Sequence, residues 1–286
     1  MPMFTQVDTR VPREVEGQVH SIFQSLFPKS DATFIARAFE WAAQCFTGRH
    51  AGYQAIDARY HDFEHTLQGT LCLARLLRGR HATSAKPELT PHAFELALLA
   101  ILFHDTGYFK KHGDTEGTGA KYTLVHVARS ADFAREFLAA KGFSTEDVEA
   151  IRHMIGCTGV NADLKGIPFR NELEHTLGCA LATADLVGQM AAPDYVEKLP
   201  VLFEEFAETV RHEGSAAARL ATYRNADELV RNTPSFWQNY VLPKIYRDFG
   251  KLHLFLNDPY PDGPNSYLLS IQRNLARIKE AGKRQA

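Results

Sequence analysis

Leu96-Ala97-Leu98-Leu99-Ala100-Ile101-Leu102-Phe103 runs directly into His104-Asp105, so one of the most apolar stretches of this 286-residue chain ends on two ionisable side chains. Thr90-Pro91 precedes it, a capping hydroxyl followed by proline at the first helical position, and the stretch therefore reads as a helix. A carboxylate buried at the end of such a helix must be paired, hydrogen-bonded or bound to a cation, because desolvation otherwise raises its pKa and neutralises it. Neighbouring residues of a regular helix point about 100° apart. Thr106-Gly107 lets the chain unwind, so His104 and Asp105 can share one target.

Outward from this stretch the periodicity is helical almost everywhere, and strand-like alternation is nearly absent. Helices are expected over Val15 to Phe27, from a Ser30 or Asp31 cap through Phe46, and from Phe63 to Leu77. Further helices are expected over Leu124 to Ala140, Thr145 to Ile155 with Thr145 as cap, Leu177 to Met190, Leu199 to about Phe255, and Leu268 to Ile278. Arg78 to Lys86 and Gly156 to Asn171 read as irregular, the tail from Lys279 as frayed, and the Gly-rich, charged Lys110 to Lys121 as a mobile surface loop. The expected architecture is one all-α domain with its site between core helices. A core at about 51–206 is flanked by N-terminal helices within 1–50 and a helical extension over 207–286.

The composition, 45% apolar and 23% charged with a formal charge of −2, is that of an ordinary globular protein. It offers no bulk attraction for nucleic acid or anionic membranes. No apolar run approaches the roughly 20 residues that span a bilayer, and Met1 to Glu14 carry no signal-peptide segment. Cys45, Cys72, Cys157 and Cys179 are scattered in apolar settings, as reduced core thiols of a cytoplasmic protein are.

Two residues far from the pair could complete a ligand set: His65 on the third helix, and Asp185 inside Leu181-Ala182-Thr183-Ala184-Asp185-Leu186-Val187. Imidazoles with carboxylates suit Mn, Fe, Co, Ni or Zn and admit Mg on the carboxylate side. His61 precedes His65 by one helical turn and could act as a nearby acid–base group. Asp62 or Glu64 could orient one of the two rings. Lys110, Lys111 and Arg152 stand close in sequence to these residues and are the cations available for a phosphate.

The ordered series His65, His104-Asp105 and Asp185 on helices of an all-α domain resembles the HD-domain metal-dependent phosphohydrolase superfamily, over roughly Ala51 to Phe206. The resemblance implies one or two divalent metals held by those four residues, with Asp105 the bridging carboxylate. Tyr60-His61 followed by His65 is similar to the start of the cyclic-nucleotide phosphodiesterase domain, which makes His61 the donor of a proton to the leaving oxygen and, with Asp105, a catalytic residue. His126, in His126-Val127-Ala128-Arg129, and His153, in Ala150-Ile151-Arg152-His153, resemble the ligands of a second metal in the binuclear branch. Aligning Phe236 and Val241-Leu242-Pro243 on the phosphodiesterase pattern puts Thr233 where the purine-clamping Gln stands, with Gln238 displaced, so a cyclic nucleotide is not the expected substrate.

The expected function is hydrolysis of a small phosphoester, a nucleotide or related compound, by metal-activated water. The alternatives are a non-catalytic regulatory domain that keeps the metal and, by the same resemblance, a di-iron oxygenase. The Gly-rich loop 113–119 is expected to cover the site.

Overall fold

A computed structural model describes residues 7–160, 162–217 and 220–285. Met1 to Gln6 of the polar start, Asn161 of the irregular stretch and Ala286 of the basic tail lie outside the described residues. The helices are α1 Pro12–Leu26, α2 Thr33–Phe46, α3 Phe63–Ala82, α4 Pro91–Phe103, α5 His126–Ala140, α6 Thr145–Ile155, α7 Glu172–Ala191, α8 Tyr195–Glu213, α9 Ala226–Phe236 and α10 Ser266–Gln285. Among the described residues, β pairing amounts to two isolated bridges, Tyr53 with Lys111 and Asn257 with Asn265. The molecule is an all-α bundle, and one apolar cluster runs through it from Val15 to Ile278.

α4 is the buried axis. Every residue from Leu96 to Phe103 is buried, because the helix is apolar on all sides and is packed by α2, α3, α6 and α7. Thr90 accepts a hydrogen bond from Ala93 N and Pro91 opens the first turn, as the sequence indicates.

α3 and α7 cross closely against it. A Cβ on Gly188 would stand 2.9 Å from the Gln68 carbonyl oxygen and 3.1 Å from Gly69 Cα, and one on Gly69 would stand 3.7 Å from Asp185 Cα. The absent side chain at Gly188 thus lets the backbones carrying His65 and Asp185 approach.

Several boundaries differ from the sequence reading. α3 continues past Leu77 to Ala82, because Arg80 is held inside by the Pro87 carbonyl, 2.6 Å away. Ser144, not Thr145, caps α6. α7 begins at Glu172, where Asn171 accepts from Glu174 N. Beyond α8 the chain is broken by 3-10 turns and, around Pro234 and Pro243, by π turns at Trp237–Val241 and Lys244–Asp248; proline cannot donate to the helical ladder, and the turns widen there. The tail from Lys279 continues α10 to Gln285.

The glycine-rich loop is fastened rather than free. Lys121 Nζ reaches Asp114 at 2.5 Å and the Glu116 carbonyl at 2.6 Å, and Tyr122 donates to Asp114 at 2.5 Å. Gly119 N donates to Asp57 at 2.7 Å, and Thr118 to Glu208 of α8 at 2.7 Å. Lys110 and Lys121, two of the charges that suggest a solvated loop, are instead paired with Asp57 and Asp114.

Among the described residues, no helix is long and apolar enough to cross a membrane. The four cysteines are buried and unpaired, and burial raises each thiol pKa, that of Cys45 and of Cys179 to about 12.

Candidate metal centre

α4 ends at Phe103, His104 keeps helical torsions, and Asp105 leaves them at φ −108°, ψ 9° before a 3-10 turn at Thr106–Tyr108. This unwinding turns both side chains to one side. His104 Nδ1 lies 2.7 Å from the Ile101 carbonyl; a carbonyl only accepts, so the proton is on Nδ1 and the Nε2 lone pair faces the site. His65, in the first turn of α3, presents its Nε2 from the other side.

Four side chains converge. Asp105 Oδ2 is 3.2 Å from His65 Nε2 and 3.2 Å from His104 Nε2. Asp185 Oδ1 is 3.2 Å from His65 Nε2 and 3.5 Å from His104 Nε2. Donor atoms about 2.1 Å from a shared ion stand roughly 3.0 Å apart at a right angle and roughly 3.4 Å apart at the tetrahedral angle. The observed spacings match the edges of such a polyhedron. His104 Nε2 and Asp105 Oδ2 are buried without a well-formed hydrogen bond, the costly state that a cation relieves. His65, His104 and Asp185, whose donor atoms all lie within 4.8 Å of one another, could therefore hold a metal ion, with Asp105 against both imidazoles.

Electrostatics agree. Burial disfavours charge on His65, yet Asp105 and Asp185 outweigh it and raise the ring to about 9; His104 is raised likewise. Burial pushes the carboxyls up, and the imidazoles overcome it, holding Asp105 and Asp185 well below the usual carboxylate range.

His126 approaches Asp105 from the first turn of α5. Its Nδ1 lies 2.6 Å from the Thr123 carbonyl, which leaves Nε2 facing Asp105 Oδ1 at 3.8 Å. Gly107 makes this approach possible: a Cβ there would stand 2.0 Å from the His126 carbonyl oxygen. Gly107 N donates to Ser130 Oγ at 2.8 Å, and Arg129 Nε donates to the Gly107 carbonyl at 2.7 Å, clamping the two segments. Asp105 thus has one oxygen in the four-residue set and the other toward His126.

His153 is placed elsewhere. Its Nδ1 is 2.5 Å from Glu174, whose other oxygen accepts from Arg170 at 2.8 Å. Glu174 lies eleven residues before Asp185 on α7, about 16 Å along the axis.

The proposed phosphate partners are not brought together either. Lys110 is buried between Asp57, 2.8 Å, and the Gly117 carbonyl, 2.6 Å. Lys111 is exposed on the Tyr53 bridge, and Arg152 is paired with Glu149 at 2.8 Å.

His61 precedes α3 rather than lying on it. Asp62 is the helix cap, accepting from His65 N at 2.8 Å, and Glu64 pairs with Lys198 at 3.0 Å, so neither orients an imidazole. That work falls to Glu205 of α8, whose Oε2 lies 2.6 Å from His61 Nδ1 while Oε1 accepts from Tyr60 N at 2.7 Å. The His61 ring stacks on Tyr108 with centroids 4.5 Å apart, and its centroid is 5.4 Å from that of His65. Nε2 is then the atom left to hold a proton. A second link runs from Tyr60, which donates to Gln189 Oε1 at 2.7 Å, to Asp185 Oδ1, 3.2 Å from Gln189 Nε2.

Glu205, Gln189 and Tyr108 are absent from the sequence reading. One signal was available for Glu205: it falls on the buried stripe of α8 with Leu199 and Thr209, where a carboxylate needs a partner. A cavity of about 670 Å³ elsewhere on α3, lined by Glu64, Gln68, Leu71 and Arg75, includes none of these ligands.

The fold and site define a class: an all-α protein whose bundle encloses an imidazole–carboxylate centre suited to a metal ion. Residues 112–258, just over half of the chain, match the model of the Npun_R2479-like family, and the chain belongs to that family. The match takes in His126, Asp185 and Glu205 and begins just after His104-Asp105. No curated protein matches the chain.

Proposed function

We propose that this chain is an HD-like, metal-dependent phosphohydrolase that cleaves a small phosphorylated compound. The observation that carries the reading is the convergence of His65, His104, Asp105 and Asp185 with two buried donor atoms left unsatisfied. A divalent ion held there supplies an activated water and screens charge on a phosphoryl oxygen. His61 stands beside the set with Nδ1 held by Glu205, so its Nε2 delivers a proton to the departing oxygen. Tyr108 fixes the plane of that ring, and Gln189 orients the Asp185 carboxylate.

A first ion would be held by His65, His104 and Asp185 with Asp105 beside them, and Asp105 Oδ1 and His126 Nε2 would be the groups nearest a second, without His153. Four buried, unpaired thiols support a reducing, cytoplasmic setting.

The test is a panel of phosphomonoesters, phosphodiesters and nucleoside triphosphates with Mn, Co, Ni and Mg, alongside elemental analysis. Loss of hydrolysis in His61→Ala with metal content retained supports the enzyme. Activity that survives in a metal-free Asp105→Ala protein sinks it. A non-catalytic metal-holding domain is the second reading, favoured by the engagement of Lys110 and Arg152 with carboxylates rather than with the site. Complete silence of the panel with metal bound selects it.

A further inference from the structure

The cavity of about 670 Å³ is walled by the chain before α1, one face of α3, the end of α7 with the turn after it, and Tyr267 of α10. Its size is that of pockets that take small organic ligands. Along α3 the wall is Glu64, Gln68, Leu71 and Arg75, a single helical face spanning about 16 Å. Cations are scarce at the Glu64 end. Arg10 is taken by Asp8, with Nε at 2.8 Å and Nη2 at 2.7 Å from its two oxygens. The ammonium of Lys198 is shared by three carboxylates, Glu64 at 3.0 Å, Asp62 at 3.4 Å and Asp194 at 3.8 Å. The last is too far for a hydrogen bond, and among the described residues neither oxygen of the Asp194 carboxylate accepts one.

Gln68 adds a second acceptor to this end. It is 7% exposed, and its side-chain nitrogen stands 3.4 Å from Glu64 Oε1. A carboxylate only accepts, so the amide oxygen is the atom turned away from Glu64. Among the described residues that oxygen accepts no hydrogen bond, a cost that a donor in the cavity removes. Toward the other end the wall changes character. Leu71 and the Tyr267 ring are buried against the cavity, Val7 and Ala191 add further apolar surface, and Arg75 holds the Tyr267 hydroxyl at 3.1 Å. Carboxylates at one end and a guanidinium at the other give the cavity a polarity along α3.

We propose that this cavity binds a small primary amine with an apolar chain. Its ammonium lies toward Asp194, Glu64 and the Gln68 oxygen, and its hydrocarbon runs along Leu71 toward Tyr267. An ammonium brings three donors and the positive charge that the carboxylates around Lys198 lack. The apolar chain covers surface that a bare cation would leave wet. The site is independent of the phosphohydrolase reading, because none of His65, His104, Asp105 and Asp185 lines the cavity.

The test is calorimetric titration of the full chain at neutral pH with hexylamine and with hexanol, which differ in charge and little in shape. Hexylamine is expected to bind at least about tenfold tighter, since hydrogen bonds to a charged donor are roughly twice as strong as neutral ones. Asp194→Asn and, separately, Gln68→Leu should each weaken hexylamine about fivefold. Hexanol binding should stay the same in both, which shows that the cavity is still formed. Equal affinity for the two probes, a hexylamine affinity that neither variant weakens, or no binding of hexylamine overturns the proposal. The titration needs no metal, so each of these outcomes leaves the phosphohydrolase reading where it stands.

Discussion

Two imidazole–carboxylate clusters occupy different ends of α7, and they differ in saturation. Near its start, His153, Glu174 and Arg170 form a closed set in which each oxygen of the carboxylate has a donor. Farther along, His65, His104, Asp105 and Asp185 face one another at 3.2–3.5 Å with His104 Nε2 and Asp105 Oδ2 unsatisfied. A saturated pair explains itself as structure. An unsaturated one, buried at the cost of desolvation, could hold a metal ion. Residue type alone does not separate them, since both are histidines beside acids.

Breaking the second cluster should have the largest effect. Asp105→Ala is expected to empty the site by elemental analysis and lower any hydrolysis by at least about a thousandfold. Next comes a third kind of buried imidazole, His253, with no acid beside it. Burial lowers its pKa from 6.5 to about 4, so the folded protein keeps it neutral. The stability this provides is full above the unfolded value of 6.5 and is lost as pH falls toward 4. The loss approaches about 3 kcal/mol, and urea titrations of wild type and His253→Leu should show the pH slope flattening in the variant.

Gly107→Ala drives a methyl into the His126 carbonyl and should cost about 2 to 3 kcal/mol by the same titration, with the α5 side of the centre displaced. Glu205→Gln should lower kcat by about ten- to a hundredfold with metal content unchanged, since the carboxylate charge acts through the His61 ring while an amide oxygen can still accept from Tyr60 N. The smallest change is expected in the saturated cluster: His153→Gln should cost about 1 kcal/mol and leave metal content untouched. Metal loss in that variant would erase the distinction between the clusters.

The fold was largely legible because α4 declares itself by Thr90-Pro91 and an unbroken apolar run, and amphipathic stripes mark most other helices. The breaks between Glu213 and Ser266 were not, since the π turns that follow Pro234 and Pro243 interrupt the regular helix without changing the apolar spacing. In the site, His104, Asp105 and Asp185 could be read because each is an ionisable group in or at the end of an apolar helix, and His65 because it completes the ordered series with them. Glu205 sits 144 residues from His61, beside Glu204 in an otherwise ordinary acidic stretch, and only the fold brings it there. The opposite error befell Lys110 and Arg152. Proximity along the chain suggested a role, while Asp57 and Glu149 had already claimed their charge.

The close crossing of α3 and α7 at Gly69 and Gly188 has a consequence for ion choice. His65 and Asp185 are spaced by two backbones resting on each other, not by flexible side chains reaching inward. The jaw that would grip the proposed ion is therefore rigid at its base, and its width is set by the hydrogen that stands where a side chain would be at Gly188. A mutation that adds one methyl at Gly188 changes the calibre of the grip from a distance, and an ion of another radius then becomes the better fit.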